Sequence, residues 1–486
     1  MSTRKNNQRK FAGMKVVIMG LGLHGGGMES ARYLAKNGAL LTITDLRDEK
    51  ILAPSIEKLE TGEKNRIRYV LGRHEEEDFK NADMVIKNPG VRSDSPYLRL
   101  ARRVETDISL FLAANPARLF AVTGSKGKSM SASALYWVLR GTREEGIFPG
   151  GAWLGGNISV SPLSFLDELG PEDDVVLELS SWQLGDLRDR PPFKSRAALL
   201  TAIMRDHQDR YDSMESYVAD KRLIYRGQDD SCATAAWDDT WGRSFLAETP
   251  GRSLLCAEYP LPETSAGGWV TGPEGAGYAR PWESAGGVMS VSGEPRQVVP
   301  ETLLVPGYHH KKNLLSAAVV LLDLGLDSDF ISSSLDVFPG IEHRLEFFHE
   351  REGVRYYNDS AATIPEAAAA ALESFDCRVV LVAGGTDKNL DFSPLVKAAC
   401  DARDRLAPIV LLAGSGSEKL RPLLEAAGLE YRGPFDNPDA AACTAAAEAL
   451  PGDVVLLSPG CASFEMFLNE FDRGAKWKEA VSQVGH

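Results

Sequence analysis

An apolar run, Phe120-Ala121-Val122-Thr123, breaks into Gly124-Ser125-Lys126-Gly127-Lys128-Ser129 and resumes as Met130-Ser131-Ala132-Ser133-Ala134-Leu135. Glycines let main-chain amides curl around an anion, and a helix starting just beyond them adds unpaired N–H groups and the positive end of its dipole. In this register Lys128 reaches the outer phosphates of a triphosphate, and the Ser129 hydroxyl reaches a divalent cation. The spacing G-x-x-G-K-S is shorter than the usual G-x-x-x-x-G-K-[ST]. The strand before it and the helix after it are nevertheless the context that phosphate binding requires.

A second glycine run, Gly20-Leu21-Gly22-Leu23-His24-Gly25, follows the strand-like MKVVIM and fits G-x-G-x-x-G. Asp45 ends the next strand, where a ribose-binding acid belongs. Alone, this pattern reads as a dinucleotide site, so an NAD-dependent oxidoreductase is the alternative from a different class. Two glycine turns in one chain are better explained by two nucleotide sites, one for a nucleotide-linked substrate and one for a triphosphate. Glu178 closes the buried-strand pattern VVLE, and a carboxylate there needs a partner such as a metal ion.

The elements that hold these residues alternate strand and helix in three stretches. The first runs from MKVVIMGLG through LLTITDL. The second holds RLFAVTG, DVVLELSS and SRAALLTAI; the third holds CRVVLVAGG, PIVLLAGSG and DVVLLSPG. Short apolar runs ending in small residues suit buried parallel strands. The expected fold is α/β in three domains: a Rossmann-like domain at 1–112, a phosphate-loop domain at 113–341 and a Rossmann-like domain at 342–486. The Gly/Pro/Ser-rich stretch 250–306 is expected to be a small antiparallel elaboration of the middle domain. A chain of 486 residues accommodates about three domains of roughly 150 residues.

The formal charge of −14 excludes wholesale nucleic-acid binding through a basic surface, so any phosphate site must be local. Cysteines at 232, 256, 377, 400, 443 and 461 form no C-x-x-C pair, which disfavours a zinc cluster or disulfide framework. The basic N-terminus has no apolar stretch behind it, and no apolar run approaches the ~20 residues that span a bilayer. A cytoplasmic enzyme is expected, acting on small molecules as a monomer, without nucleic-acid or membrane partners.

Further segments occur in one order: LGGNIS, ELSSWQL, DHQDRYDSMESYVADKRLIY, PGYHHKKN, EHRLEF, YYNDSAAT, GGTDKNLDF and LLSPGCASFEMF. Together with the short phosphate loop, the set resembles the Mur ligases of peptidoglycan synthesis, over residues 14 to 480. Within that family it is most similar to members that join D-glutamate to UDP-N-acetylmuramoyl-L-alanine with ATP. The resemblance implies UDP contacts at Leu23, His24, Asp45, Arg47 and Asn88, and a diphosphate or lactyl-alanine contact at Asn157. It implies ATP contacts at Gly124, Ser125, Lys126, Gly127, Lys128, Ser129, Met130, His310, Asn313, Arg344 and Asp359. Two Mg²⁺ ions are implied at Ser129, Glu178, His207 and Lys221, the last as a carbamate, since an ammonium cannot ligate a cation. Lys128, Lys221, His207 and Glu178 form the implied catalytic set, and Lys388, Ser463 and Phe464 surround the incoming glutamate.

The chain departs from the family where the pattern NDSKAT-N reads Asn358-Asp359-Ser360-Ala361-Ala362-Thr363-Ile364. Ala361 replaces a lysine near the glutamate side chain, and one charge-assisted bond contributes about 1.5–3 kcal/mol. D-glutamate remains the expected amino acid, with L-glutamate the alternative; a folylpolyglutamate-type ligase is disfavoured by the N-terminal βαβ unit. Met130 stands where the family has a hydroxyl residue. The segments AIMR and His309-His310-Lys311-Lys312-Asn313 are also divergent.

Overall fold

The computed structural model describes residues 10–22, 26–63, 67–158, 160–206, 210–285, 288–291 and 293–484. Its described residues divide into two compact units. The first comprises residues up to Thr271, Gly275–Val299 and Asn313–Ser334; the second comprises Gly272–Glu274, Pro300–Lys312 and the chain from Leu335.

In the first unit, β1 (Lys15–Met19), β2 (Leu40–Asp45), β3 (Ile67–Leu71), β4 (Met84–Lys87) and β5 (Val104–Glu105) form a parallel sheet in the order β3-β2-β1-β4-β5. The helix Gly26–Lys36 connects β1 to β2, as the βαβ pattern requires. Order reverses beside β1, where ligands of open parallel sheets bind at the carboxyl ends of strands.

A nine-stranded sheet follows, built from β6 (Arg118–Thr123), β7 (Ala152–Gly156), β8 (Asp174–Glu178), β9 (Ala197–Leu200), β10 (Ala233–Trp237), β11 (Arg252–Ala257), β12 (Gly267–Val270), β13 (Gly277–Arg280) and, past a hairpin, β16 (Arg296–Val299). The order is β16-β13-β12-β11-β10-β9-β6-β8-β7. Every residue of β8 and β9 is buried, which is why these strands read as continuous apolar runs. The stretch 250–306 is only partly antiparallel. β11 and β12 extend the parallel sheet, β13 and β16 reverse, and β14 (Trp282–Ala285) pairs with β15 (Val288–Val291) as a separate hairpin. The nine-residue connection 258–266 lets β12 return parallel to β11, which glycine and proline content alone does not reveal.

The second unit contains β17 (Glu346–Arg351), β18 (Val354–Asn358), β19 (Val379–Gly384), β20 (Ile409–Leu412), β21 (Tyr431–Phe435) and β22 (Val454–Leu457), in the order β17-β18-β22-β19-β20-β21. Only the β17–β18 pair is antiparallel. Helices rich in alanine, such as Pro365–Glu373 and Pro438–Glu448, lie against it and bury small side chains. All six cysteines are free thiols. Among the described residues no helix is long and apolar enough to cross a membrane.

Candidate active site

Strands β7, β8, β6 and β9 lie side by side and parallel, so their carboxyl ends form one edge. At that edge β6 ends at Thr123, the loop 124–127 turns, and a helix runs from Lys128 to Glu144. The first helical positions are Lys128, Ser129 and Met130, whose N–H groups have no intrahelical acceptor. Met130 is buried.

The loop is braced from below. Gly124 has φ +147°, and a Cβ there would overlap Thr201 Oγ1, at the end of the neighbouring strand β9. A Cβ on Gly127 would overlap the side-chain amide of Asn313, so a residue 186 positions away shapes this loop. Ser125 N donates to the Ala202 carbonyl at 2.8 Å. The Ser125 hydroxyl donates to the Met204 carbonyl at 3.0 Å and lies 2.9 Å from the Tyr217 hydroxyl. Lys128 Nζ donates to the Ser125 carbonyl at 3.1 Å. Lys126 is exposed.

Lys221 is buried, donates 2.8 Å to the Gly124 carbonyl and sits 4.5 Å from the Tyr217 ring centroid. Burial, then the nearby charge of Lys128, bring its ammonium down to about 7. Sequence reasoning missed Thr201 and Tyr217. Tyr217 carried a signal, since it stands four residues before Lys221 on one helical face.

Glu178, at the end of β8, is buried. Its Oε1 accepts from the Asn157 side-chain amide at 2.8 Å, and Asn157 N donates 2.8 Å to the Glu178 carbonyl. Its Oε2 is buried with no hydrogen-bond partner. An open carboxylate oxygen inside the protein is costly unless a cation meets it. The oxygen donors Glu178 and Ser129 therefore fit a hard divalent ion such as magnesium. Among the described residues no group of three or more His, Cys, Asp or Glu could hold a metal. His207, expected as a metal ligand, lies outside the described residues, as do Leu23 and His24.

At the N-terminal sheet, Asp45 turns inward. Its Oδ2 accepts the amides of Leu21 (3.0 Å) and Gly22 (3.3 Å), and its Oδ1 accepts that of Arg47 (3.0 Å). The acid thus holds the glycine turn in shape, and only Oδ1 keeps an accepting position. Asn88 packs against Gly20 and accepts from Gly90 N at 3.1 Å, while Arg47 is exposed.

In the second unit, Asp359 follows β18. Its Oδ2 accepts from the Ser458 hydroxyl at 2.6 Å and its Oδ1 from Leu345 N at 3.2 Å. Burial raises its carboxyl to about 7, against the pull of those hydrogen bonds. Arg344 is exposed on the adjoining turn. Lys388, exposed, has its ammonium 5.1 Å from the Phe464 ring centroid, and Phe464 is 60% exposed. Ser463 is buried and its hydroxyl has no partner. His310 Nδ1 is likewise buried without a partner, and burial, then neighbouring His309, push that imidazole down to about 3, so it is neutral.

Arg473, which nothing in the sequence singled out, is buried and pins two segments of the second unit. It donates to the Ser360 hydroxyl (2.9 Å) and carbonyl (2.8 Å), and to the carbonyls of Cys461 (3.0 Å) and Ala462 (3.2 Å). Burial lowers its guanidinium to about 10. At the departure from the family pattern, Ala361 N donates to the His343 carbonyl at 3.0 Å and Ile364 is exposed.

With this geometry in place, the chain was compared with known proteins. Residues 14–109 match the family described as Mur ligase MurD-like, N-terminal domain. Residues 122–321 match the Mur ligase middle domain, and 343–461 the Mur ligase, glutamate ligase domain. A protein of Treponema pallidum named UDP-N-acetylmuramoylalanine--D-glutamate ligase is 40% identical, covering 96% of this chain and 97% of its own. Proteins with the same name from Borreliella burgdorferi (40%; 97% and 98%) and Roseiflexus sp. (36%; 97% and 99%) are also similar. A solved UDP-N-acetylmuramate-alanine ligase from Thermotoga maritima shares the fold at TM-score 0.54 and 18% identity, covering 96% of this chain and 99% of that one.

Proposed function

The chain belongs to the Mur ligase family, and from that premise we propose that it joins D-glutamate to UDP-N-acetylmuramoyl-L-alanine at the expense of ATP. The name shared by its full-length relatives supports the acceptor and the amino acid. The observation that carries the chemistry is the braced loop 124–129 at one sheet edge with Glu178, whose buried Oε2 is open.

A carboxylate does not react with an amine. Attack by the substrate carboxylate on the γ-phosphorus of ATP expels ADP and leaves an acyl phosphate; the glutamate amine then adds to its carbonyl and phosphate departs. The protein's task is positioning and charge neutralisation. In this reading the amides of Gly124 to Met130 cradle the triphosphate and Lys128 neutralises its outer oxygens. Ser129, Glu178, His207 and carbamylated Lys221 would hold two magnesium ions, which when bound would supply positive charge against the developing charge on the phosphoryl oxygens. Low proton affinity at Lys221 favours the neutral amine that carbon dioxide requires.

His310, Asn313, Arg344 and Asp359 are assigned to ATP. Leu23, His24, Asp45, Arg47, Asn88 and Asn157 are assigned to the nucleotide-sugar, and Lys388, Ser463 and Phe464 to glutamate. Domain boundaries at 1–112, 113–341 and 342–486 complete the proposal, with the enzyme working as a cytoplasmic monomer.

The test is end-point ligation with D- and L-glutamate in parallel, reading ADP release and product mass. ADP release that requires the UDP-sugar, D-glutamate and magnesium together is the expected result. A product formed only with L-glutamate would overturn the stereochemical assignment, and no ADP under any combination would overturn the whole reading.

A further inference from the structure

In the second unit, the residues assigned to glutamate sit on two segments from distant parts of the chain. One is 385–388, ending in Lys388; the other is 461–465, carrying Ser463 and Phe464. Thr386 and Ala462 exchange main-chain bonds, Thr386 N to the Ala462 carbonyl at 2.9 Å and Ala462 N to the Thr386 carbonyl at 3.1 Å. A bridge of one residue pair fixes little by itself.

A third segment lies against both. β20 ends at Leu412, the chain turns through Ala413 and Gly414, and a helix runs from Ser415 to Ala426. Gly414 has φ +146°, and a Cβ there would overlap the Gly385 carbonyl oxygen and crowd Glu465 Oε2 at 2.8 Å. A Cβ on Gly416 would lie 2.7 Å from Cys461 Sγ. The turn is thus shaped to both neighbours.

Ser415, the first residue of that helix, joins them. Its hydroxyl accepts from Asp387 N at 3.0 Å and donates to Glu465 Oε1 at 2.7 Å, and its N–H donates to Glu465 Oε2 at 2.8 Å. Glu465 N in turn donates to the Thr386 hydroxyl at 3.0 Å. One turn along the helix, Lys419 Nζ donates to the Leu390 carbonyl at 2.6 Å and lies 3.4 Å from Asp387 Oδ2. A carboxylate suits the first turn of a helix, whose N–H groups lack intrahelical acceptors and carry the positive end of the dipole. Both Glu465 oxygens are held there, so the helix meets its negative charge and that charge does not oppose an anionic amino acid.

We propose that Glu465, clasped to Ser415, is a positioning residue of the glutamate pocket and sets Ser463 and Phe464 against Lys388. This rests on the ligase reading above and extends it to two residues given no role there. Ser463 points to a ligand, since its hydroxyl is buried without a partner two residues before Glu465. Exposed Phe464 lies between them, with the Lys388 ammonium 5.1 Å from its ring centroid. Freeing Glu465 releases this group from the helix, while the loop 124–129 belongs to the other unit.

Steady-state kinetics and hydrogen exchange of the full chain test this. Glu465→Ala should raise the KM for D-glutamate roughly tenfold. Its kcat should stay within about threefold, and the KM values for ATP and the UDP-sugar within about twofold. Glu465→Gln should recover most of the affinity, because its amide oxygen still accepts from Ser415 N. Ser415→Ala should give a smaller rise, and the double alanine variant should be little worse than Glu465→Ala, since residues sharing one interaction are non-additive. Equal rises in all three KM values, a lowered melting temperature with an unchanged KM for glutamate, or fully additive substitutions would each overturn the assignment. Without turnover, exchange in peptides covering 385–390 and 461–467 should quicken together in Glu465→Ala, and quickening in only one of them would also overturn it. If both quickened yet the wild-type protein released no ADP, the clasp between the segments would stand and the ligase reading would fall.

Discussion

Two glycine turns leave parallel strands in the first unit, and they are braced by opposite charges. At 20–22 the brace is Asp45, whose carboxylate takes the turn's own amides. At 124–127 it is Lys221, which donates to the turn's carbonyl at Gly124, while the Ser125 and Lys126 amides go to the main-chain carbonyl of Ala202. Each turn therefore spends amides internally, on an acid at 20–22 and on a main-chain carbonyl at 124–127, but the second is followed directly by the helix Lys128–Glu144, whose first N–H groups have no intrahelical acceptor and suit an anion. Glycine spacing marks both turns alike; the charge of the brace separates them.

The sharpest test of that contrast is Lys128→Ala. It should lower kcat/KM for ATP by roughly 10²- to 10³-fold while UDP binding, read by calorimetry, stays as in the wild type. Equal damage to both ligands would erase the distinction between the turns.

Next in size is a pair of alanine substitutions. Gly124→Ala meets both φ +147° and Thr201 Oγ1, and should cost about 3 kcal/mol. Gly22→Ala meets φ +70° but open space out to 3.5 Å, and should cost about 1 kcal/mol. Urea unfolding of both variants reads the ordering, and a reversed order would show that the loop at 124 relaxes freely.

Asp359 extends the comparison to the second unit, where a strand-end acid is again an internal brace. Burial raises its folded-state pKa to about 7, above the unfolded value near 3.8. The folded state therefore binds the extra proton between those values. This group's stabilising contribution is complete below about pH 4 and is lost as pH rises to about 7. Asp359→Asn should remove that loss, gaining on the wild type by on the order of 1–3 kcal/mol between pH 4 and pH 8 in denaturation profiles. Parallel profiles would show that Asp359 is ionised throughout.

The smallest effect belongs to Asp45→Asn. An amide oxygen can keep both main-chain bonds to Oδ2, but the NH2 in place of Oδ1 cannot accept from Arg47 N, so stability should fall by about 1 kcal/mol. The KM for the UDP-sugar should rise a few-fold with that for ATP unaltered. An equal rise for ATP would mean that the braces are not independent.

Much of the fold was legible because buried parallel strands are continuous apolar runs: β6, β8, β9, β19, β20 and β22 fall where those runs do. The loop at 124–129 was legible because strand, glycines, lysine and helix are local in sequence. Less legible was the pairing of β11 with β12, which depends on how a connection crosses the sheet. Asp45 and Asp359 illustrate the limit for the site. Asp45 is expected to contact a ligand from its place at a strand end and Asp359 from the family resemblance, and the structure shows both carboxylates accepting from neighbouring amides or a hydroxyl.

By itself, then, the sequence determined which residue types could bind phosphate and where strands, turns and helices had to lie, since those follow from short-range geometry and the burial of apolar runs. Only the tertiary structure decided which polar atoms were left open. Glu178 Oε2 and the Ser463 hydroxyl lack partners while the carboxylate of Asp45 does not, because hydrogen-bond satisfaction depends on residues brought in from distant parts of the chain.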